Sequence, residues 1–200
     1  EAGTECSWFG VTCTNGSVSR LSLHTNLLTG TIPIELGNLS NLTILLLGDN
    51  SLTGSIPSEL GNLTNLTTFN LASNSLTGTI PKELGNLTEL TSLGLQHNPL
   101  TGTIPKELGN LTKLTVLWLF GHTPTGGIPS ELGNLTNLKQ LQLGLGEFWD
   151  SYYEGPIPSS LKNLPFLKES NIGKLPVLMG DSDNDGIADR NDEKPTVKAE

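Results

Sequence analysis

One spacing constrains this chain more than any other. The pair Ile-Pro recurs at Ile32-Pro33, Ile56-Pro57, Ile80-Pro81, Ile104-Pro105 and Ile128-Pro129, 24 residues apart each time. A sixth pair, Ile157-Pro158, follows after 29 residues, so five extra residues enter the fifth interval. Around each pair the unit reads LTGTIPxELGNLTxLxxLxLxxN. A unit this short cannot enclose a core of its own. It must bury its apolar face against its neighbours, which predicts a stacked array, a solenoid of about seven units counting the ends. Gly and Pro together make 35 of the 200 residues. Scattered, that share would signal disorder; at fixed offsets it marks regular turns.

Each place in the unit has a physical role. In L-x-x-L-x-L the leucines point inward and the stretch forms a short strand, as in Leu42, Leu45, Leu47, then Leu66, Phe69, Leu71, then Leu90, Leu93, Leu95. Successive strands are predicted to pair in parallel, about 4.8 Å apart. Asn26, Asn50, Asn74 and Asn98 form a column expected to be buried and bonded to the backbone of the turn after each strand. Pro at the start of P-x-E-L-G suits the first position of a short helix or 3-10 turn, with Glu near its positive end. Gly after Leu suits a left-handed exit from that turn.

The departures from the repeat are where a specific function is expected. The Asn column fails at His122 and Gly146, and GLGEFWDSYYEG, residues 144–155, contains the insertion. Six of the ten aromatic residues fall between positions 118 and 153: Trp118, Phe120, Phe148, Trp149, Tyr152 and Tyr153. Trp118 and Phe120 alternate on one strand, flanking the inward Leu119, and exposed aromatics on a concave surface commonly anchor ligands. Phe148, Trp149 and the tyrosines are equally suited to packing among themselves and holding the inserted loop. The remaining positions of that face are small and neutral: Ser22, Leu46, Asn70, Gly94 and Gln142 in one column, His24, Gly48, Ala72, Gln96 and Gly144 in the next. A protein or glycan ligand fits such a face better than a highly charged one.

This pattern resembles the plant-type leucine-rich-repeat family of receptor-kinase ectodomains and secreted inhibitor proteins, over roughly residues 5–178. The resemblance implies an α/β leucine-rich-repeat solenoid, with a parallel β-sheet on the concave side and short helical or 3-10 turns on the convex side. The segment CSWFGVTC, Cys6 to Cys13, is similar to that family's N-terminal cap, whose two cysteines pair over a Trp. By composition alone these two cysteines could be thiols or a bridge; the resemblance implies a capping disulfide and an oxidising compartment. The solenoid is thus expected to span 1–178, with its cap at 1–16.

Residues 179–200 are set apart by charge. Seven of the 20 acidic residues lie in the last 21 positions, and the net charge is −9. The string DSDNDGIADRND places Asp181, Asp183, Asp185, Asp189 and Asp192 at positions 1, 3, 5, 9 and 12 of a twelve-residue loop. Gly186 stands at position 6 for the sharp turn, and Ile187 at 7 can offer its carbonyl. This is calcium-ligand spacing. No helix former follows, since Glu193-Lys194-Pro195 stops the chain, which argues against a helical EF-hand pair. The string resembles a thrombospondin type 3-like repeat, although Lys194 stands where that family often has Cys.

Several classes are excluded or disfavoured. No basic patch exists for nucleic acid, and no apolar run approaches the ~18 residues of a membrane span. The chain begins at Glu1 without a signal peptide, as a processed or excised segment would. His97, Ser73 and Asp49 share one column, but Ser lies in the middle where a triad needs His. The Glu column, Glu35, Glu59, Glu83, Glu107 and Glu131, repeats on the solvated convex side. The chain is therefore expected not to be an enzyme. The expected function is an extracellular recognition module, secreted or at the cell surface, like an adhesin or receptor ectodomain. One alternative is a structural subunit of a cell-surface layer or fibre. Another is ice binding, suggested by Thr columns at 29, 53, 77, 101, 125 and at 43, 67, 91, 115; β-propensity and turn bonding account for the same threonines. Eight N-x-[ST] sequons, Asn15, Asn38, Asn41, Asn62, Asn65, Asn86, Asn110 and Asn134, would make the chain a glycoprotein in a eukaryotic secretory pathway.

Overall fold

In the computed structural model, residues 5–119, 123–124, 126–143, 158–162 and 164–165 are described. The chain enters through a 3-10 turn, Glu5–Ser7, and a hairpin of β1 (Val11–Thr14) with β2 (Ser17–Ser22). The repeating strands follow in order: β3 (Thr29–Thr31), β4 (Ile44–Leu46), β5 (Ser51–Ser55), β6 (Thr68–Asn70), β7 (Ser75–Thr77), β8 (Ser92–Gly94), β9 (Thr101–Gly102), β10 (Val116–Trp118), β11 (Thr123–Pro124) and β12 (Gln140–Gln142). A short helix, α1 (Ser159–Lys162), closes the described part.

Two ladders run the length of this array. The main sheet has the order β1-β2-β4-β6-β8-β10-β12, parallel throughout except for the antiparallel β1–β2 pair. The second ladder flanks it, with β3, β5 and β7 in one sheet and β9 with β11 in another, joined by a Thr79–Thr101 bridge. In the main sheet each repeating strand pairs residues 24 apart, as in Leu45 with Phe69 and Phe69 with Leu93, whereas the flank ladder pairs residues 22 apart, as in Thr31 with Thr53. On the convex side 3-10 turns stack at Ile34–Asn38, Ser58–Asn62, Lys82–Asn86, Lys106–Asn110 and Ser130–Asn134. The α/β solenoid read from the repeat is the fold.

The leucines do what the pattern requires. Leu45, Phe69, Leu93, Leu117 and Leu141 are fully buried, as are Leu66, Leu90, Leu114 and Leu138. Full burial of one such side chain contributes about 1.5–3 kcal/mol. At the first units the column thins out: Leu21 and Leu23 are only half-buried, and Leu27 is 88% exposed.

The Asn column forms the second framework. Asn98 is 1% exposed and donates from Nδ2 to the carbonyls of Leu71 and Leu95, both at 3.0 Å. Its Oδ1 accepts from the Leu76 N–H at 3.0 Å. Asn74 repeats the set one unit earlier, on Leu47, Leu71 and Leu52. The bonds therefore cross between units as well as closing the local turn. Asn26, by contrast, is exposed, because no complete unit precedes it.

Two expectations need correcting. Pro33 and its equivalents sit just before the 3-10 turns, extended at φ −71 and ψ 138 for Pro33, and the Pro33 carbonyl accepts from Leu36. The glycines after Leu do not take left-handed conformations. A Cβ on Gly61 or Gly85 would lie 2.5 Å from the next unit's Glu83 or Glu107 carbonyl oxygen. Glycine is needed there so that stacked turns can approach, not for positive φ. Positive φ occurs instead at Gly54, Gly78 and Gly102 on the flank, and at Thr25, Asp49, Ser73 and His97 in the turns after the concave strands.

Candidate functional site: the concave face around Trp118

The register of the main sheet assembles the column expected from the repeat. Ser22 pairs with Leu46, Leu46 with Asn70, Asn70 with Gly94, Gly94 with Trp118 and Trp118 with Gln142. Leu117 and Leu119 point into the core, both fully buried, so Trp118 between them faces the concave side and is half-buried. On one side of it stands Gly94, on the other the exposed Gln142.

Gly94 leaves a gap beside the indole, and its neighbours fill that gap. Gln96 folds back over it: a Cβ added to Gly94 would sit 3.0 Å from Gln96 Oε1 and 3.5 Å from Asn70 Cγ. Asn70 is held in place by the Ala72 N–H, which donates to its Oδ1 at 2.8 Å. Gln96 is 8% exposed. Its Oε1 and the Nε1 of Trp118 are both closed off from solvent, and neither has a hydrogen-bond partner. A buried polar atom left unpaired costs about 1–3 kcal/mol. This face thus holds one unused acceptor, two residues past the end of β8, and one unused donor, on β10.

Of the residues predicted to bind a ligand, only Trp118 falls within the described part. Phe120, Phe148, Trp149, Tyr152 and Tyr153 lie outside it, as do the predicted calcium ligands Asp181, Asp183, Asp185, Ile187, Asp189 and Asp192 and the boundary at 178/179. Among the described residues no cluster of His, Cys, Asp and Glu is suited to a metal ion. Gln96 and Gly94 stand in columns that read as small and neutral in the sequence, so the composition of those columns does not single them out. The available signal was the smallest residue beside the largest in one column.

At the N-terminal end Cys6 and Cys13 are bonded, with S–S 2.02 Å and Cα atoms 5.5 Å apart. Trp8 and Phe9 between them are 61% and 82% exposed. The Thr columns divide. Thr43, Thr67, Thr91 and Thr115 each donate Oγ1 to a carbonyl of the preceding unit at 2.9–3.0 Å, and so belong to the framework. Thr29, Thr53, Thr77 and Thr101 are exposed on the flank. Asp49, Ser73 and His97 occupy successive left-handed turns with Ser73 between the other two. Among the described residues no helix is long and apolar enough to cross a membrane.

Stacked 24-residue units, a parallel concave ladder and a bonded Asn column together define a leucine-rich-repeat scaffold. A sequence profile for the leucine-rich repeat region matches residues 21–196, and the chain belongs to that family. No curated protein matches it. Among solved structures, the Arabidopsis thaliana ectodomain of the membrane receptor kinase GASSHO1/SCHENGEN3, in complex with CASPARIAN STRIP INTEGRITY FACTOR 2, is 45% identical with a TM-score of 0.75. The match covers 82% of this chain and 19% of that one, so this chain spans about a fifth of the receptor ectodomain. The plant peptide hormone receptor RGFR1 in complex with RGF2 is 42% identical over 70% of this chain and 22% of that chain, with a TM-score of 0.63. A plant ice-binding protein is 34% identical over 70% of this chain and 47% of its own, also with a TM-score of 0.63.

Proposed function

We propose that this protein is an extracellular, non-catalytic recognition module that takes a protein, peptide or glycan ligand on its concave face at Trp118. The observation that carries this reading is that two closed-off polar atoms of this face, Gln96 Oε1 and Trp118 Nε1, have no hydrogen-bond partner. A ligand group that both donates and accepts, such as an amide or a hydroxyl, relieves both. The Gln96 carboxamide is the flexible end of a side chain and is the part that swings aside. The receptors similar to this chain were solved with a peptide hormone or a protein factor, and the Cys6–Cys13 bond suits an oxidising compartment. The aromatic residues 120 and 148–153 are proposed to extend the site. The test is a peptide and glycan array probed with the wild-type protein and with Trp118→Ala. We expect ligands retained by the wild type to be lost or weakened at least about thirtyfold in the variant, as for an interface anchor worth about 2 kcal/mol. Full retention by Trp118→Ala rejects the site.

The calcium loop at 181–192 remains part of the proposal on its ligand spacing alone. Calorimetry should show calcium uptake that Asp185→Ala abolishes; uptake unchanged by that substitution rejects it. Glycosylation in a eukaryotic host is consistent with the exposure of all eight sequon asparagines. Ice binding is a second reading, supported by the exposed Thr29–Thr101 column and by the likeness to a plant ice-binding protein. Absence of thermal hysteresis in concentrated protein would remove it.

A further inference from the structure

The hairpin that opens the main sheet turns on two residues. β1 and β2 meet at the pair Thr14–Ser17, with Asn15 and Gly16 between them. Both take positive φ, 52 for Asn15 and 76 for Gly16, as a type I′ turn requires. Both are exposed, and a Cβ on Gly16 would meet nothing within 4 Å. Among the described residues no hydrogen bond holds the Gly16 N–H or the Asn15 carboxamide. Asn15 is also the only asparagine of the chain that precedes Gly. The other described asparagines are guarded in one of three ways. Ten precede Leu, whose branched side chain crowds the amide that follows. Asn98 precedes Pro99, which has no N–H. Asn50 and Asn74 precede Ser, but both are tied down. Asn50 donates to the Leu23, Leu47 and Gly48 carbonyls, and the Ser51 N–H donates to Leu28 at 2.8 Å. Asn74 is bonded in the same way to Leu47, Leu71 and Ala72.

We propose that Asn15 is a site of spontaneous modification, at which the turn converts itself to isoaspartate and loosens the N-terminal cap. The Gly16 nitrogen gives up its proton and attacks Cγ of Asn15. The bond from Cγ to the side-chain nitrogen breaks, and that nitrogen leaves with the proton as ammonia. The product is a five-membered succinimide. Water then opens the ring at either carbonyl, giving aspartate or isoaspartate. In sum one water is consumed and one ammonia released, with no oxidant, reductant or metal. Glycine favours the attack because no side chain shields its nitrogen. The two products differ in what they do to the hairpin. Aspartate leaves the backbone unchanged and tolerates positive φ. Isoaspartate routes the main chain through Cβ and Cγ, which adds one carbon to a two-residue turn. Loop length sets hairpin register, so Thr14 and Ser17 no longer face each other. The damage stays in the cap. β1 is the end strand of the main sheet, β2 remains paired with β4 from Arg20 to Ser22, and the Cys6–Cys13 bond keeps β1 tethered.

The inference does not depend on the concave site. Asn15 also opens a sequon, so the test uses the whole chain made without glycosylation. It is incubated at mildly alkaline pH, which favours loss of the Gly16 proton, beside a free peptide of residues 12–19. Digestion and mass spectrometry locate any exchange of an amide nitrogen for oxygen, and labelling by an isoaspartyl methyltransferase counts the isoaspartate. Asn15 should convert within about tenfold of the peptide's rate, because exposed turns open at little cost. Converted chains, separated by their added negative charge, should exchange the β1 amides faster and those of β4 to β10 at the original rate. Freshly prepared Asn15→Asp carries the same charge on an unaltered backbone and should keep β1 as protected as in the unmodified chain. Three results would overturn the inference: Asn15 intact in the chain once the peptide is fully converted, earlier conversion at Asn50 or Asn74, or unchanged β1 exchange in chains that carry isoaspartate.

Discussion

The flank and the concave face of this solenoid each run on their own ladder of paired strands and follow opposite rules. Along the flank and turns each unit repeats its neighbour: Thr31, Ser55, Thr79, Thr103 on the strand ends, Gly37, Gly61, Gly85, Gly109 where turns meet. Along the concave face one column runs Ser22, Leu46, Asn70, Gly94, Trp118, Gln142. The turn glycines are held constant by contact, since a Cβ there strikes the next unit's main chain. The concave positions are free to differ because main-chain bonds and the inward leucines already fix the register. A constant surface can read only something periodic, whereas a varied one can read something particular.

The sharpest way to break this comparison is to attack the shared framework. Asn98→Ala strands the buried carbonyl of Leu95 and the Leu76 N–H and leaves the Leu71 carbonyl with Asn74 alone, and is expected to cost about 3 kcal/mol in chemical denaturation. Asn26→Ala, exposed at the open end, should cost under about 0.5 kcal/mol; equal costs would mean that the column does not hold the units together. The same substitution on the two surfaces comes next. Gly85→Ala drives a methyl into the Glu107 carbonyl and should cost about 3 kcal/mol, as overpacking does. Gly94→Ala meets only the flexible end of Gln96 and should stay within about 1 kcal/mol. Similar melting temperatures for the two would erase the distinction between framework and face. At the N-terminal edge, Cys6→Ser or reduction should cost about 2.5 kcal/mol by loop-closure entropy, visible as a lower melting temperature. The smallest effect is expected for the exposed Lys113–Glu89 pair, whose 2.6 Å contact is open to solvent. Lys113→Ala should change stability by about 0.5 kcal/mol or less.

The fold could be read from the sequence because its rules are local and repeated. Twenty-four-residue spacing gives the register of the main sheet, and leucine alternation fixes the inward face, so the Trp118 column followed from arithmetic, while the 22-residue register of the flank did not. Position-specific contacts did not. Nothing in GNL says whether its glycine bends the chain or lets another turn approach; only the stacked Glu107 carbonyl against Gly85 decides it. The Gln96–Trp118 pair escaped for a similar reason. It depends on a side chain two residues past Gly94 folding back into the space that glycine leaves, and burial of those polar atoms has no signature in composition.

The Trp118 indole N–H is closed off without a partner, which on the proposed function leaves it for a ligand. Its direct test is the Nε1–H resonance in a nitrogen-15 spectrum, assigned by its loss in Trp118→Phe, before and after adding the partner selected on the array. The account predicts an unbonded, solvent-protected N–H in the free protein that moves downfield when the partner binds. A resonance already hydrogen-bonded in the free protein, and unmoved by saturating partner, would contradict it.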